Sequence, residues 1–452
     1  MRFIHTADWH LGNKMHNIDR KQEFEKFLFW LKDEVNKQKA DALIVAGDIF
    51  DTANPPTEAR TQYIDFLASL LRTECRNVII TGGNHDSGIL LDSEKEILKA
   101  LNIHVVGTIA NLEPEDMVFE LYGEEDSEGK NKVIGICAAV PYVHEIELRK
   151  YYDKEVEKGK LGDYANKELY RRVYEAADKL RAGRNIPVIA TGHLYAANLE
   201  GRFSGENSIE VKADDGRRQL DVVGNLGSVH VSSFPEEFDY IALGHIHYPT
   251  MVAKNPKIRY SGSPFVLGFD EHGIQHCVLS VEINDKTETG TSNLTVEKIP
   301  VPETVIYKRI TGTCQEIESE IKKLVKDDAE QENHKEINIE VNYIWEDGVD
   351  INALVERMNG TLPENIAIVH KKRSEEQNVS GGAYSGFDDV DVSDLSFEEI
   401  FKGLIIKKFE IDKTNLTEEE IKAKQDEAVE KFLPLFMETV NEYEKGIRYE
   451  NQ

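Results

Sequence analysis

Residues 77–86 read Asn-Val-Ile-Ile-Thr-Gly-Gly-Asn-His-Asp, an apolar run that stops at two glycines and three polar residues. The apolar half has the composition of a buried β-strand. Polar side chains beside a buried strand cost free energy unless they are paired, so Asn84, His85 and Asp86 need a reason to be there. The stretch therefore predicts a strand that delivers functional side chains to its carboxyl end.

Four further motifs share this layout, with polar residues directly after a strand-like run. They are Asp8-Trp9-His10, Gly47-Asp48-Ile49-Phe50-Asp51, Gly192-His193 and Gly244-His245-Ile246-His247. Open α/β folds place their sites at the carboxyl ends of the strands, so we expect the motifs to meet at one edge of a sheet. Taken singly, Asp8 also fits a turn and His193 a core histidine. Five such motifs in this order favour a site.

The rest of residues 1–280 alternates short apolar runs with longer amphipathic ones. Further strand-like runs are KVIGICAAV and KIRYSG. A helix is predicted after the first motif, because apolar residues recur there at the spacing of one helix face: Phe24, Phe27, Leu28, Leu31 and Val35. The pattern indicates a layered α/β architecture. Two acidic stretches, near 113–130 and 145–170, predict a surface loop and an exposed helix.

The rhythm of the sequence changes after the first domain, which we place at residues 1–300. Residues 301–373 alternate strand, helix, strand, helix and strand, which predicts a small separate α/β domain. Residues 374–395 are polar, Gly-rich and acidic, as is typical of a linker. Residues 396–452 predict a helical tail with capping-box pairs. Its apolar face has no core of its own, so it either folds back or docks onto a partner, and we favour docking.

Composition limits the possible functions. The 452 residues suffice for about three domains. No apolar run is long enough for a membrane helix or a signal peptide, so we expect a soluble cytoplasmic protein. The four cysteines form no CxxC pair and are expected to be free thiols. The net charge of −29 is unusual for a nucleic-acid-binding protein, which usually has a basic surface.

The motifs supply carboxylate oxygens, imidazole nitrogens and one amide oxygen. Such ligands suit manganese, iron or zinc better than calcium or a thiolate-bound metal. A carboxylate shared between two sites holds two cations about 3.5–4 Å apart, and such a pair clamps a phosphate and activates water. The motifs therefore predict a two-metal phosphoesterase.

This set of motifs resembles the calcineurin-like metallophosphoesterase superfamily, and finer details resemble its SbcD-type nuclease subunits of bacterial DNA-break repair. The details are Asp8-Trp9-His10-Leu11-Gly12, GDIFDTANPP, Asn84-His85-Asp86-Ser87, ALGHIHYP and YSGSP. The resemblance covers residues 1–270 closely and 300–372 by layout only. It implies a β-sandwich flanked by helices, a small α/β capping domain and a C-terminal helical tail. The segment FVLGFDEHG, residues 265–273, departs from the family pattern.

Carried over motif by motif, the resemblance implies two metal sites that share Asp48. The ligands of the first would be Asp8, His10, Asp48 and His247. The ligands of the second would be Asp48, Asn84, His193 and His245. His85 is implied to steady the scissile phosphate or to protonate the leaving oxygen, with Asp86 orienting it. An imidazole, whose ordinary pKa is about 6.5, suits that task.

The resemblance further implies a manganese-dependent DNA nuclease, with 3'–5' exonuclease activity on duplex ends and endonuclease activity on single strands and hairpins. It implies two divalent ions, an SbcC-type coiled-coil ATPase as partner, a homodimer and association with the nucleoid. Such a partner would supply the positive charge for binding DNA phosphates that this acidic chain lacks. Two alternatives stay open: a cytosolic small-molecule phosphodiesterase or phosphatase, and a catalytically silent scaffold.

The remaining basic and histidine residues are predicted to have mostly structural roles. His5 lies inside a strand-like run and is expected in the core. The other histidines lack a partner motif, and His16 is the strongest exception because it follows the first motif closely. The cluster Lys371–Arg373 either touches DNA or forms a solvated strand end, and we favour the strand end.

Overall fold

The computed structural model describes residues 1–374 except 17, 126–128, 130, 153–160, 198–207, 214–215, 222–228, 272, 285–292, 332 and 346–348, and it also describes residue 431. The chain forms two compact units. The larger comprises Met1–Gly201, Val211–Arg218 and Gly224–Gln377, and the smaller comprises Arg202–Glu210, Gln219–Val223 and Asn378–Gln452. The features that position the site belong to the larger unit. From residue 375 on, the predicted linker and helical tail lie outside the described residues, residue 431 excepted.

Strands and helices are numbered here in chain order. The strands are β1 (Arg2–Thr6), β2 (Ala42–Ala46), β3 (Asn77–Thr81), β4 (Ile103–Val106), β5 (Val118–Glu125), β6 (Asn131–Ala138), β7 (Val188–His193), β8 (Ala196–Ala197), β9 (Ser208–Ala213), β10 (Gly216–Asp221), β11 (Val229–His230), β12 (Tyr240–Gly244), β13 (Thr250–Met251), β14 (Ile258–Tyr260), β15 (Cys277–Ile283), β16 (Leu294–Pro300), β17 (Val305–Gly312), β18 (Glu336–Tyr343) and β19 (Ile366–Arg373). The helices are α1 (Lys21–Lys37), α2 (Thr57–Leu70), α3 (Gly88–Asp92), α4 (Lys95–Lys99), α5 (Glu145–Leu148), α6 (Leu161–Arg181), α7 (Cys314–Ala329) and α8 (Ile351–Asn359).

Two six-stranded sheets form the framework. The first has the order β16-β15-β1-β2-β3-β4, and the second has the order β13-β14-β12-β7-β6-β5. In the first sheet β1 to β4 run parallel. In the second sheet β6, β7, β12 and β14 run parallel. Each sheet therefore gathers the carboxyl ends of its central strands at one edge.

The two sheets face each other. Strand β2 contacts β7 and β12, and the Phe3 ring lies edge-on to the Tyr240 ring with centroids 5.5 Å apart. His5 is buried in this layer, with Nδ1 3.0 Å from the Tyr240 hydroxyl, so its predicted core position is confirmed.

Helices cover the outer faces of the sandwich. On α1 the predicted apolar face is buried, with Phe24, Phe27 and Leu31 in one core with residues of β1 to β3. Burying a side chain of this size stabilises the fold by about 1.5–3 kcal/mol. On the second sheet α6 buries Leu169 and Tyr170. The layered α/β sandwich with flanking helices is thereby confirmed.

A third sheet, β17-β18-β19, follows in the chain and is entirely parallel. Helix α7 begins at a capping box of Thr313 and Glu316, and α8 begins at Asp350, whose carboxylate caps the first turn. Ile321 and Ile339 are fully buried in a hydrophobic core that these elements share. The predicted order of strands and helices is thus present. That residues 301–373 form a domain separate from 1–300 stays a prediction.

The two acidic stretches differ from expectation. The first contains β5, an edge strand of the second sheet, so the predicted surface loop is wrong. An edge strand has one side open to solvent and therefore tolerates acidic residues. The second contains part of α6, which is a helix as predicted but buries Ala165 and Leu169. Across the described residues, no helix has the length and apolar character needed to cross a bilayer.

Candidate metal centre

The five motifs meet between the two sheets. Asp8, Asp48 and Asn84 follow β1, β2 and β3, which are neighbours in the first sheet. His193 ends β7 and His245 follows β12, which are neighbours in the second sheet. The expectation of one sheet edge is therefore corrected. Two facing sheets each contribute their carboxyl edge, and the candidate centre lies where those edges meet.

Four of the predicted ligands have a left-handed backbone. The φ angles are 54° at Asp8, 46° at His10, 50° at Asp48 and 93° at His245. Such a conformation costs a non-glycine residue about 1–3 kcal/mol and persists only where the surroundings enforce it. Here the amide of Asp8 donates to Gly47 O and the amide of His10 to Asp48 O, both at 3.0 Å. Strain of this kind clusters at functional sites.

The first set of predicted ligands converges on one point. Donor atoms of Asp8, His10 and His247 all lie within 4.8 Å of one another. Asp48 Oδ2 joins them at 3.5 Å from His10 Nε2. Among the described residues, Asp8 Oδ2 and His10 Nε2 are buried without a hydrogen-bond partner. A buried polar atom left unpaired costs about 1–3 kcal/mol, so these atoms fit a bound cation.

The second set converges beside the first. His193 Nε2 lies 3.3 Å from Asp48 Oδ2 and 3.0 Å from Asn84 Oδ1. His245 Nδ1 lies 3.0 Å from the same Asn84 oxygen. The oxygen Asp48 Oδ2 therefore adjoins both ligand sets, which is the position a bridging carboxylate needs.

The hydrogen bonds of His193 indicate how its ring is protonated. Its Nδ1 lies 2.9 Å from Ala46 O, and a carbonyl oxygen only accepts, so Nδ1 carries a hydrogen. A neutral ring then points the Nε2 lone pair at the oxygens of Asn84 and Asp48. Three lone-pair atoms converge without repulsion only when a proton or a cation lies among them. The donor chemistry therefore fits a divalent metal.

Protonation of the histidines balances the buried carboxylates. Burial raises the pKa of Asp48, but the His193 charge and its hydrogen bond outweigh this and hold it well below its usual range. Burial lowers the pKa of His193, but Asp48 raises it to about 9 overall. The pKa of His247 is likewise raised to about 9, against burial, by its hydrogen bond to Glu271. A metal entering the centre would displace these protons.

His85 and Asp86 lie at the same loop but have different partners. His85 Nδ1 is 2.8 Å from Asp51 O, so the ring donates there and leaves Nε2 to reach a substrate. Asp86 accepts from the amides of Ile49, Phe50 and Gly83 at 2.8–3.0 Å. The role predicted for Asp86, orienting His85, is thus taken by the Asp51 carbonyl. Asp86 holds the loops after β2 and β3 together instead.

Two functional residues were missed by the sequence prediction. Glu271 Oε1 lies 3.0 Å from His247 Nδ1, and Asp51 Oδ1 lies 3.2 Å from His10 Nδ1. Carboxylates behind histidine ligands fix the tautomer and raise the basicity of the ring. Asp51 ends the motif Gly47-Asp48-Ile49-Phe50-Asp51, but that motif alone does not predict its contact with His10. Glu271 belongs to residues 265–273, where no local pattern pairs it with His247.

A series of hydrogen bonds, buried at Tyr307, Glu23 and Arg20 and partly exposed beyond them, connects the third sheet to this centre. The Tyr307 hydroxyl on β17 donates to Glu23 Oε2 at 2.9 Å, and Arg20 Nε donates to the same oxygen at 2.7 Å. Arg20 Nη1 donates to Asn13 Oδ1 at 2.8 Å, and Asn13 Nδ2 donates to Asp51 Oδ1 at 3.0 Å. The Arg20 side chain is fully buried. This series of hydrogen bonds therefore ends on the carboxylate of Asp51, next to His10.

Glycines let the backbone approach the ligands closely. A Cβ added at Gly83 would lie 2.1 Å from Asp48 Oδ1 and 2.2 Å from Asp48 N. A Cβ added at Gly47, where φ is +90°, would lie 2.1 Å from His193 Nδ1. Side chains at these two positions would fill the space that the ligands occupy.

Comparison with known proteins agrees with this geometry. Residues 1–249 match the family of calcineurin-like phosphoesterases. The SbcD component of the nuclease SbcCD from Escherichia coli (strain K12) is 30% identical over 407 residues, which cover 89% of this chain and 92% of that protein. The corresponding SbcD proteins of Rhodobacter capsulatus and Bacillus subtilis are each 29% identical, over 63% and 62% of this chain and 66% of their own lengths. The chain is therefore a metal-dependent phosphodiesterase that belongs to the calcineurin-like phosphoesterase family, in its branch of SbcD-type nuclease subunits.

Proposed function

We propose that this chain is a manganese-dependent DNA nuclease that uses two divalent ions. Its proposed activities are 3'–5' exonuclease on duplex ends and endonuclease on single strands and hairpins. The observation that carries the proposal is the position of Asp48 Oδ2 between the two ligand sets. This oxygen lies 3.5 Å from His10 Nε2, in the first set, and 3.3 Å from His193 Nε2, in the second set. When bound, the two ions would supply Lewis-acid activation of the phosphate and of the attacking water.

The proposed site residues have separate roles as metal ligands, as a proton donor and as positioning residues. The proposed ligands of one ion are Asp8, His10, Asp48 and His247, and those of the other are Asp48, Asn84, His193 and His245. His85 would bind the scissile phosphate and give a proton from Nε2 to the leaving oxygen, because its Nδ1 is held by Asp51 O. Glu271 and Asp51 would position the rings of His247 and His10.

The proposal extends to partners. The linker of residues 374–395 would lead to the helical tail of residues 396–452, and this tail would bind an SbcC-type ATPase. Residues 301–373 would form a capping domain beside the nuclease domain of residues 1–300, and the protein would act as a homodimer near the nucleoid. With a net charge of −29, the chain needs a partner and bound cations to hold DNA phosphates.

The test incubates the purified full chain with end-labelled duplex DNA and manganese, with and without an SbcC-type ATPase. We expect cleavage that requires manganese, is stimulated by the ATPase and is lost in Asp48→Ala. A His85→Ala variant should keep its metals, counted by mass spectrometry, but cut at least about 100-fold more slowly, since general acid–base catalysis contributes that much.

The same experiment separates the alternatives. Cleavage of a small phosphodiester but never of DNA, even with the ATPase, would replace the nuclease by a small-molecule phosphodiesterase. No cleavage of either substrate by a chain that binds manganese would favour a silent scaffold. Only metal-dependent DNA cleavage by the unmodified chain supports the proposal.

A further inference from the structure

A second cluster of metal-ligand side chains lies outside the candidate metal centre. It consists of His16 in the turn after the first motif, Glu340 on β18 and His370 on β19. Donor atoms of the three residues lie within 4.8 Å of one another. Glu340 Oε2 is 3.8 Å from His16 Nε2 and 3.9 Å from His370 Nε2. None of the three belongs to the ligand sets proposed above.

The third sheet holds this carboxylate in place. Arg309 on β17 lies directly opposite Glu340 on β18, and His370 on β19 lies opposite Glu340 on the other side. Arg309 Nε donates to Glu340 Oε1, which leaves Oε2 directed to the two imidazoles. The Glu340 side chain is only 5% exposed. A buried carboxylate oxygen that faces two histidines, one exposed and one half-buried, is an arrangement that attracts a cation.

The two histidine rings are stacked on each other and partly exposed. The His16 and His370 rings lie 3.6 Å apart between centroids at an interplanar angle of 12°. The His16 ring also stacks on the Phe269 ring, with the two centroids 5.8 Å apart. Their side chains are 35% and 34% exposed. Rotation about the last side-chain torsion of histidine is soft, so the two Nε2 atoms can turn toward a common point.

We propose that His16, Glu340 and His370 form an additional metal site that binds one Zn²⁺ ion. Two imidazoles and one carboxylate are a ligand set that zinc commonly takes, with the fourth position left to water. Zinc bonds of about 2.0–2.1 Å place tetrahedral ligand atoms about 3.3 Å apart. The observed Oε2–Nε2 separations of 3.8 and 3.9 Å exceed this distance by about half an ångström, so zinc binding requires the two stacked rings to tilt until both Nε2 atoms point at the ion.

A metal here would have a structural effect. His16 belongs to the turn that continues from Asp8 and His10, whereas Glu340 and His370 belong to the third sheet. The apolar contact beside it, of Met15, Phe269 and Tyr307, joins the same two parts of the chain. A bound ion would therefore fasten the segment after the first motif to the third sheet, independently of the proposed nuclease activity.

The test counts zinc in the full-length chain. Wild-type protein is stripped with chelator, reloaded with a slight excess of Zn²⁺, freed of loose metal and analysed by mass spectrometry. We expect His16→Ala and His370→Gln to bind one equivalent less per chain than wild type. His334→Ala is the matched control, because His334 is exposed in the loop before β18 and pairs with Asp328, and it should bind the wild-type amount.

A Co²⁺ titration gives a second reading that does not depend on the count. Cobalt bound to this site should add visible absorption in wild type and in His334→Ala that is missing in His16→Ala. Circular dichroism checks that the variants are folded. Equal zinc content and equal cobalt spectra in wild type and a folded His16→Ala would overturn the site, leaving a stacked histidine pair beside an ion pair. That result would leave the nuclease proposal untouched, because the test measures no cleavage.

Discussion

Replacing Gly83 by alanine tests whether the loop after β3 must touch Asp48. The added Cβ would lie 2.1 Å from Asp48 Oδ1 and 2.2 Å from Asp48 N, whereas Cβ contacts below 3.0 Å essentially do not occur. The two loops must therefore part by about 0.9 Å. A misplacement of about 1 Å at a catalytic site can lower the rate about 100-fold. That corresponds to about 2.7 kcal/mol of lost transition-state stabilisation.

The assay is manganese-dependent hydrolysis of a small phosphodiester, combined with thermal unfolding. Gly162→Ala is the matched control, because a Cβ at Gly162 would meet nothing within 4 Å and alanine favours the helix α6 that contains it. We expect the control to keep full activity and to be at least as stable as wild type. A folded Gly83→Ala variant with wild-type activity would refute the argument, since Asp48 would then not need its observed position.

Three further predictions concern the charges around the centre. Glu271→Gln should lower the affinity for Mn²⁺ about 10–100-fold by calorimetry, since the carboxylate behind His247 is lost; an unchanged affinity would remove Glu271 from the site. Glu23→Gln should lower the free energy of unfolding, measured with urea, by about 3–5 kcal/mol, because it leaves Arg20 as an unpaired buried charge. Adding Arg20→Met should restore most of this stability. A double variant no more stable than Glu23→Gln alone would contradict the pairing of Glu23 with Arg20. The pKa values of His193 and His247 are raised to about 9, so without metal their stabilising effect is complete below about pH 6.5 and is lost as the pH rises through 9. Manganese competes with those protons, so its apparent affinity should rise over this same range, and a flat pH profile would count against the assigned ligands.

The strands and the predicted ligands could be found from sequence because their signals are local. An apolar run such as residues 77–81 ends at glycine and polar residues, and both halves of the signal are adjacent in the chain. The face of α1 follows in the same way from the spacing of Phe24, Phe27 and Leu31. The edge strand β5 was missed because its acidic residues face solvent and hide the alternation that marks a strand.

The partners of the ligands could not be found, because they depend on contacts between distant segments. His247 and Glu271 are 24 positions apart, and Glu23 and Tyr307 are 284 apart. No local pattern marks Arg20 as a buried charge, since arginine in a helical region is ordinarily a surface residue. That Asp86 binds backbone amides rather than His85 likewise follows from how the loops after β2 and β3 pack.

The left-handed backbone at Asp8, His10, Asp48 and His245 has a consequence for engineering. Glycine at any of these positions would relieve the backbone strain, so part of the stability lost when a ligand is deleted there would be recovered from the backbone. A screen that rewards heat resistance alone would therefore select only weakly against the loss of a ligand at these four positions. Selection for a more robust variant needs turnover as a second criterion, or must confine its mutations to surfaces away from these four residues.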